Sequence, residues 1–231
     1  MKPDLPAAQA PPRTPLQEQL TGTASRPTAL DAFRRARRTF LAGQRVDMGR
    51  LADDLGVNRA TLYRWVGSRE QLLVEILWSL SHRTFGKLLA DSASSEPRQP
   101  TGPERSRSAS VLDAWLHAVI GNAGMRAFVQ GEGELALRLL TTRITDYQSR
   151  LRGFVGGLIA EDLDAGRIRT EIPLEDLTYV VVRIIESYVY LSLITGEEPD
   201  ADRATRVLHA LLPPAAGLDL TGLDLTGRGL S

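Results

Sequence analysis

Cysteine is absent from the 231-residue chain. Disulfides and thiolate metal sites are therefore excluded, and a cytoplasmic location is the simplest expectation. No uninterrupted apolar run approaches the roughly twenty residues of a membrane span, and the N-terminus carries no continuous apolar core of the signal-peptide kind. Strand signals are missing as well, which leaves an all-α fold. The three histidines, His82, His117 and His209, are solitary, with no HExxH and no second ligand at helical spacing. Glu161, Asp162 and Asp164 gather at a helix end before Gly166, where a solvated acidic face is the expected outcome. No P-loop, G-x-S-x-G or G-x-G-x-x-G accompanies them. An enzyme is not expected, nor a metal or cofactor.

Net charge is also absent, since 28 basic residues balance 28 acidic ones. The balance is not local. Residues 28–90 hold eleven basic and six acidic side chains, about +5 in a chain that sums to zero. Arg34, Arg35, Arg37 and Arg38 lie on a predicted helix whose apolar stripe is Leu30, Phe33, Ala36 and Phe40, with Thr28 and Gly43 at its ends. Such a run is either a solvated face or a source of phosphate attraction.

Residues 45–73 carry the punctuation of two short helices and a longer third. Asp47 stands at an N-cap position before Met48, Leu51, Ala52 and Leu55, which recur at helical spacing. Gly56 suits the left-handed turn that stops this helix, and Val57 wedges between it and the next. Asn58 caps a second helix over 59–66, on which Ala60, Leu62 and Val66 suit packing while Arg59, Thr61, Tyr63 and Arg64 are offered to a partner. Gly67 ends it, and Ser68 with Gln71 forms a capping-box pair for the third. This is the layout of a DNA-reading helix-turn-helix; one used only for packing is the bland reading.

The segment VDMGRLADDLGVNRATLYRWVGSREQLLVEIL, following a basic amphipathic helix, resembles the DNA-binding domain of TetR-type transcriptional regulators. The likeness covers about residues 28–90, with GVNRATLYRWVGSREQLL as its specific core, and LYRWVGSREQLLVEILWSL is similar to the QsdR-like subgroup, associated with control of lactone degradation. The resemblance implies that the helix from Arg59 enters the major groove. Arg59, Ala60, Thr61 and Arg64 would then meet base edges, while Tyr63, Trp65 and Arg69 would grip phosphates. Asp47 departs from the Thr or Ser usual at its position and is expected to act as a cap only. Trp65 replaces the usual His or Tyr, and an indole N–H donates but never accepts. The resemblance further implies a ligand-responsive regulator, read as a repressor, that binds a palindromic operator as a homodimer through its last two helices and is released by a small-molecule effector. A ligand-independent DNA-associated structural or interaction protein of the same fold is the alternative.

Five segments are expected. Residues 1–27, broken by six prolines, read as a disordered arm, and 28–90 as the DNA-binding domain with its connecting helix. Residues 91–110, DSASSEPRQPTGPERSRSAS, read as a flexible loop. Residues 111–213 form a helical effector-binding and dimerisation domain, and 214–231, with a doubled LDLTG, a flexible tail. Within the bundle, helices are predicted over 111–120, 125–140 with a possible break at Gly131 and Gly133, 142–165, 174–195 and 202–212.

The helix over 174–195 contains TYVVVRIIESYVYLSLI, apolar nearly all round, and so demands cover on most faces. On it Tyr179, Arg183, Glu186 and Tyr190 fall on one stripe, and two readings stand for the charged pair. One is an ion pair, within the helix or across a dimer. The other is a polar fixture in an effector pocket walled by Trp78, Trp115, Phe128, Tyr147 and Phe154, with Arg183 donating to a carbonyl or lactone oxygen. Plain core is the competing account of those aromatic residues.

Overall fold

The computed structural model describes Gln17, residues 26–94 and residues 106–215, with the backbone alone for 92–94. Most of the expected N-terminal arm, the centre of the 91–110 segment and the doubled LDLTG lie outside the described residues.

Four helices make the head. α1 (Ala29–Leu41) starts at a reciprocal capping box in which Thr28 N–H donates to the Asp31 carboxylate at 3.0 Å and Thr28 Oγ1 accepts from Asp31 N–H at 3.3 Å. Its buried stripe is Ala32, Ala36 and Phe40, at i, i+4, i+8. Leu30, expected on that stripe, is exposed, because the small Ala32 rather than Leu30 shares an azimuth with Ala36. α2 (Met48–Leu55) is capped by Asp47 and closed by Gly56 in the left-handed region at φ 64°. α3 (Arg59–Val66) is capped by Asn58, whose side-chain oxygen accepts from Thr61 N–H at 2.7 Å. The chain then turns at Gly67, φ 70°, where an added Cβ would stand 2.1 Å from the Gln71 amide oxygen. α4 (Arg69–Ser94) opens on the predicted Ser68–Gln71 box and runs from head into body.

The body holds α5 (Arg107–Gly121), α6 (Ala123–Gly131), α7 (Gly133–Thr141), α8 (Tyr147–Asp164), α9 (Leu174–Val189), the single turn α10 (Leu191–Ile194) and α11 (Ala201–Leu211). α4 and α8 flank α5, and α8, α9 and α11 pack in sequence around it. One apolar cluster runs from Ala32 in the head to Leu212 in the body, so the two parts share a core. Among the described residues all regular structure is helical apart from an isolated bridge between Ile168 and Pro214, and no helix is long and apolar enough to cross a membrane.

Several boundaries differ from those expected. Residues 91–94 extend α4, and 107–110 open α5 behind Ser106, whose Oγ accepts from Ala109 N–H. Pro214 and Ala215 are pinned rather than free: Ala215 N–H donates to Arg167 O at 2.8 Å. Helix α8 starts five residues late, because Thr142 and Thr145 hydroxyls return to the carbonyls of Arg138 and Leu139 and so compete with helical bonding. The predicted break falls at Glu132, between Gly131 and Gly133. Helix 174–195 is interrupted at Tyr190, which leaves helical backbone at φ −103°, ψ 19° with its ring buried.

Two polar expectations are corrected. Asp162 is not on a solvated acidic face but fully buried, accepting from Ser108 N–H and Oγ at 2.7 Å each and from Arg167 Nε at 2.6 Å. It meets the open N-terminal end of α5, which makes burial of a carboxylate tolerable. Nor is His117 solitary. Its Nδ1 lies 2.8 Å from Asp113 Oδ1 and its Nε2 3.1 Å from Asp202 Oδ1, tying α5 to α11, and the Asp113 backbone carbonyl is the first cause holding its pKa above the ordinary value. Among the described residues no cluster is suited to a metal ion.

Candidate functional site

Helix α3 is fixed by its inward side and presents the other. Leu62 is wholly buried, an anchor worth about 1.5–3 kcal/mol by transfer, and Trp65 and Val66 pack against the core. Arg59, Ala60, Tyr63 and Arg64 are exposed, and Thr61 is half-buried with its backbone tied to the cap. Tyr63 leaves 48% of its surface free.

Arg59 has company. Its guanidinium and the Asp47 carboxylate both lie beside Gly49: a Cβ there would stand 2.5 Å from Arg59 Nη2 and 3.2 Å from Asp47 Oδ1. The missing side chain therefore makes the space in which the guanidinium rests. Asp47 accepts from Arg50 N–H at 2.8 Å, and this bond first, then Gly49 N–H and the charges of Arg59 and Arg45, hold its carboxyl below the usual range. Asp47 is thus the expected cap and, beyond it, the counter-charge of a residue on the exposed face.

An open cleft of about 610 Å³ lies along α1, α2 and the loop between them, lined in part by Arg35, Arg38, Arg45 and Arg50 and by two carboxylates, Asp47 and Asp54. The arginine run of α1 is divided in its duties. Arg35 donates to Asp54 at 2.9 Å, Arg34 approaches Asp31, and burial with the nearby Arg83 lowers the pKa of half-buried Arg37. Arg38 stays exposed.

Arg69 differs from the other residues assigned to phosphate contact. Its Nε donates to Val46 O at 2.6 Å and its Nη2 to Glu132 Oε1 at 2.6 Å, leaving 19% of the side chain exposed. Arg45 approaches the other Glu132 oxygen at 3.5 Å. Glu132, at the break between α6 and α7, thus ties the body to the residue just before the helix-turn-helix. Gly124 makes a second tie, since a Cβ on it would lie 2.3 Å from Phe40 O, and Phe128 meets Phe40 edge to face at 5.8 Å. Neither Glu132 nor Gly124 was singled out from sequence. A charged residue between two helix-breaking glycines was the available signal for the first, and nothing local marked the second.

The proposed pocket residues fall into four groups. Trp115 stacks on Phe85 at 4.9 Å, and Phe85 on Phe154 at 3.7 Å, within the body core. Trp78 meets Tyr147 edge-on at 6.1 Å, and Tyr147 shares a 3.2 Å hydrogen bond with Ser81. Phe128 lies apart, at the head–body junction. Arg183 and Glu186 form an ion pair at 2.9 Å, completed by Gln148, which donates to Glu186 and Leu140 O and accepts from Arg183 at 2.5 Å. Burial outweighs Arg183 and Gln148 and pushes the Glu186 carboxyl up to about 7. Tyr190 is buried, and desolvation is the first cause raising its phenol; Tyr179 faces outward beneath the guanidiniums of Arg152 and Arg183.

A cleft of about 80 Å³ lies between α4 and α5, lined by Leu77, Ser81, Trp115, Met125 and Tyr147 among others. Trp115 and Tyr147 therefore share one cavity.

The family of tetracyclin repressor-like C-terminal domains matches residues 102–213. Among solved structures, the chain is similar to the transcriptional repressor QsdR of the TetR family from R. erythropolis, with 27% identity and a TM-score of 0.64 over 80% of this chain and 93% of that one. A putative regulator from Rhodococcus sp. RHA1 (19% identity, TM-score 0.56, 80% and 95% covered) shares the fold. So does FadR from Bacillus subtilis, solved in complex with stearoyl-CoA (12% identity, TM-score 0.53, 80% and 97% covered). No curated protein sequence matches the chain.

Proposed function

We propose, from its similarity to TetR-type helix-turn-helix transcriptional regulators, that the chain is a ligand-responsive repressor of that type, binding a palindromic operator as a homodimer and released by a small molecule. The observation that carries the reading is α3: a helix anchored by Leu62 that turns Arg59, Ala60, Tyr63 and Arg64 to solvent, in a head whose α1 and α2 line an arginine-rich cleft. Arg59 and Arg64 would read base edges from the major groove, where a bidentate pair to guanine is worth about 1–3 kcal/mol of discrimination. Tyr63 and Arg38 would meet phosphates.

Dimerisation is supported by α9, whose Val180 and Tyr179 are exposed although the helix is apolar nearly all round. Two copies joined through α9 and α11 would set their α3 helices about one DNA turn, near 34–36 Å, apart. Release follows as a population shift. A molecule that prefers a different seating of α6 would carry Gly124, Phe128 and Glu132 with it, and through Phe40 and Arg69 would move the head. The resemblance of LYRWVGSREQLLVEILWSL to the QsdR-like subgroup, associated with control of lactone degradation, extends the proposal to a lactone as effector, acting in the cytoplasm.

Footprinting of the purified protein on DNA flanking its own gene, with and without candidate lactones, tests the proposal. A two-fold symmetric protected site that opens on addition of effector is expected. Protection with no symmetry, little sequence preference and no response to any effector would establish the ligand-independent DNA-associated alternative instead.

A further inference from the structure

We propose that the cleft at the junction of head and body is a ligand site in its own right, separate from any effector seat within the body, and that it takes a small aromatic monocarboxylate whose binding opposes that of DNA.

The cleft, of about 200 Å³, lies between α6 on one side and α1 with the loop that follows it on the other. Small residues hold it open. Along α6 the lining residues are Gly124, Ala127, Phe128 and Gly131, at i, i+3, i+4 and i+7, and of these Phe128 alone is bulky. A Cβ on Gly124 would stand 2.3 Å from Phe40 O, whereas one on Gly131 would meet nothing within 4 Å. Helix α6 thus touches the head at one end of this face and stands off from it at the other. Across the gap Gly43 takes φ 71°, and a Cβ there would come 3.4 Å from Ala127 Cβ and narrow the mouth.

Polarity is divided within the cleft. Phe40, Val46, Leu73 and Phe128 are buried and form an apolar floor, while Gln44 and Arg45 are exposed and Ala127 half-buried at the mouth. An apolar cavity of about 150 Å³ takes benzene, so this space suits one aromatic ring with a small polar head turned outward.

Charge selects that head. Arg45, Arg69 and Glu132 line the cleft, two cations to one carboxylate. Glu132 is shared unequally: Arg69 holds one oxygen at 2.6 Å, whereas Arg45, 74% exposed, only approaches the other at 3.5 Å. Asp47 also acts on Arg45, but it lies outside the lining and is served by Arg50 N–H and by the charge of Arg59. Arg45 is therefore the cation with capacity for an incoming anion, and its planar fork matches a carboxylate. A dianion would bring Glu132 a second negative neighbour that nothing balances.

Opposition to DNA follows from the place of Arg45. It belongs to the head, two residues before the Asp47 cap, so a carboxylate on it weakens the positive field that phosphates meet. By linkage, DNA then weakens the ligand by the same factor.

The test uses the full chain with 4-fluorobenzoate, followed by ¹⁹F line broadening, and 4-fluorobenzamide as a neutral probe of the same shape. The carboxylate should bind at about millimolar concentration, the scale for so few atoms, and the amide more weakly. Arg45→Ala should weaken the carboxylate about fivefold, the upper end for an exposed ion pair, and leave the amide unchanged. Ala127→Leu should weaken both probes by filling the gap. Duplex DNA from the flank of the gene, in excess, should weaken the carboxylate. The site is overturned if 4-fluorobenzoate does not bind, if the amide binds as tightly, or if both variants bind the carboxylate undiminished, which would place the probe elsewhere in the protein. Equal affinity with and without DNA would overturn the opposition.

Discussion

Replacing Arg69 by Ala separates two roles that the same residue could hold. From its place after the reading helix it was expected to grip phosphate, yet its guanidinium is engaged by Val46 O and Glu132 at 2.6 Å each. Hydrogen bonds involving a charged group contribute about 1.5–3 kcal/mol each. With both side chains about one-fifth exposed, the pair belongs at the lower end, so Arg69→Ala should cost about 2–4 kcal/mol and Glu132→Ala about 1.5–3. Because the two share one interaction, a double-mutant cycle should return a coupling of about 1–2 kcal/mol.

Urea unfolding measures the stability, and titration of operator binding against salt measures the role. A phosphate contact releases counterions, so its removal lowers the log–log slope by about 0.9. A strut between head and body leaves the slope unchanged while affinity falls, and Glu132→Ala lowers affinity too although it removes a negative charge from a DNA-binding protein. A slope reduced by about one in Arg69→Ala, with Glu132→Ala binding as tightly as the parent and coupling near zero, would refute the strut.

Gly124→Ala should destabilise by about 1–3 kcal/mol and blunt the response of DNA binding to effector, because the new Cβ would stand 2.3 Å from a backbone carbonyl that cannot rotate away; calorimetry and operator titration check both. Val180→Arg, on the exposed face of α9, should yield a monomer in sedimentation and cost most of the operator affinity, while circular dichroism stays unchanged. Glu186 has a folded-state carboxyl raised to about 7 from an ordinary 4.5, so the folded protein holds its proton more tightly than the unfolded chain. Its contribution is complete below pH 4.5 and is lost as pH rises to about 7, by up to about 3 kcal/mol; Glu186→Gln should flatten that fall, and parallel curves for parent and variant would contradict the assignment.

The head was legible because its signals are local. Asp47, Gly56, Asn58, Gly67 and the Ser68–Gln71 box each act within four residues of themselves, and sequence order is enough to place them. What escaped was set by partners far along the chain. Arg69 reads as a free cation until Glu132, 63 positions on, is folded against it. Asp162 reads as solvated until the N-terminus of α5 covers it from 54 positions away. In the body, the grouping of Trp115 with Tyr147 and the separation of Phe128 follow from which helices pack together, and helical periodicity alone says only that each ring faces inward.

Charge in the head shows why composition overstates DNA attraction. Of the basic residues on α1, Arg35 is committed to Asp54 and Arg34 approaches Asp31, while Arg69 is committed to Glu132. The surplus of about five positive charges is therefore concentrated in fewer free groups than a count suggests, Arg38 and Arg64 among them. Arg59 stands between the two classes. Its guanidinium rests beside Asp47 in the space that Gly49 leaves, exposed and within reach of a partner. On the proposed reading, a guanine edge that takes Arg59 would draw it from the charge of that carboxylate, whereas a wrong base, offering one hydrogen bond or none, would leave the guanidinium where it is. The pull of Asp47 on Arg59 would then lower affinity most for the sequences that engage Arg59, and leave unchanged those that never do. The acidic cap of α2 would thereby temper affinity at that position rather than add to it.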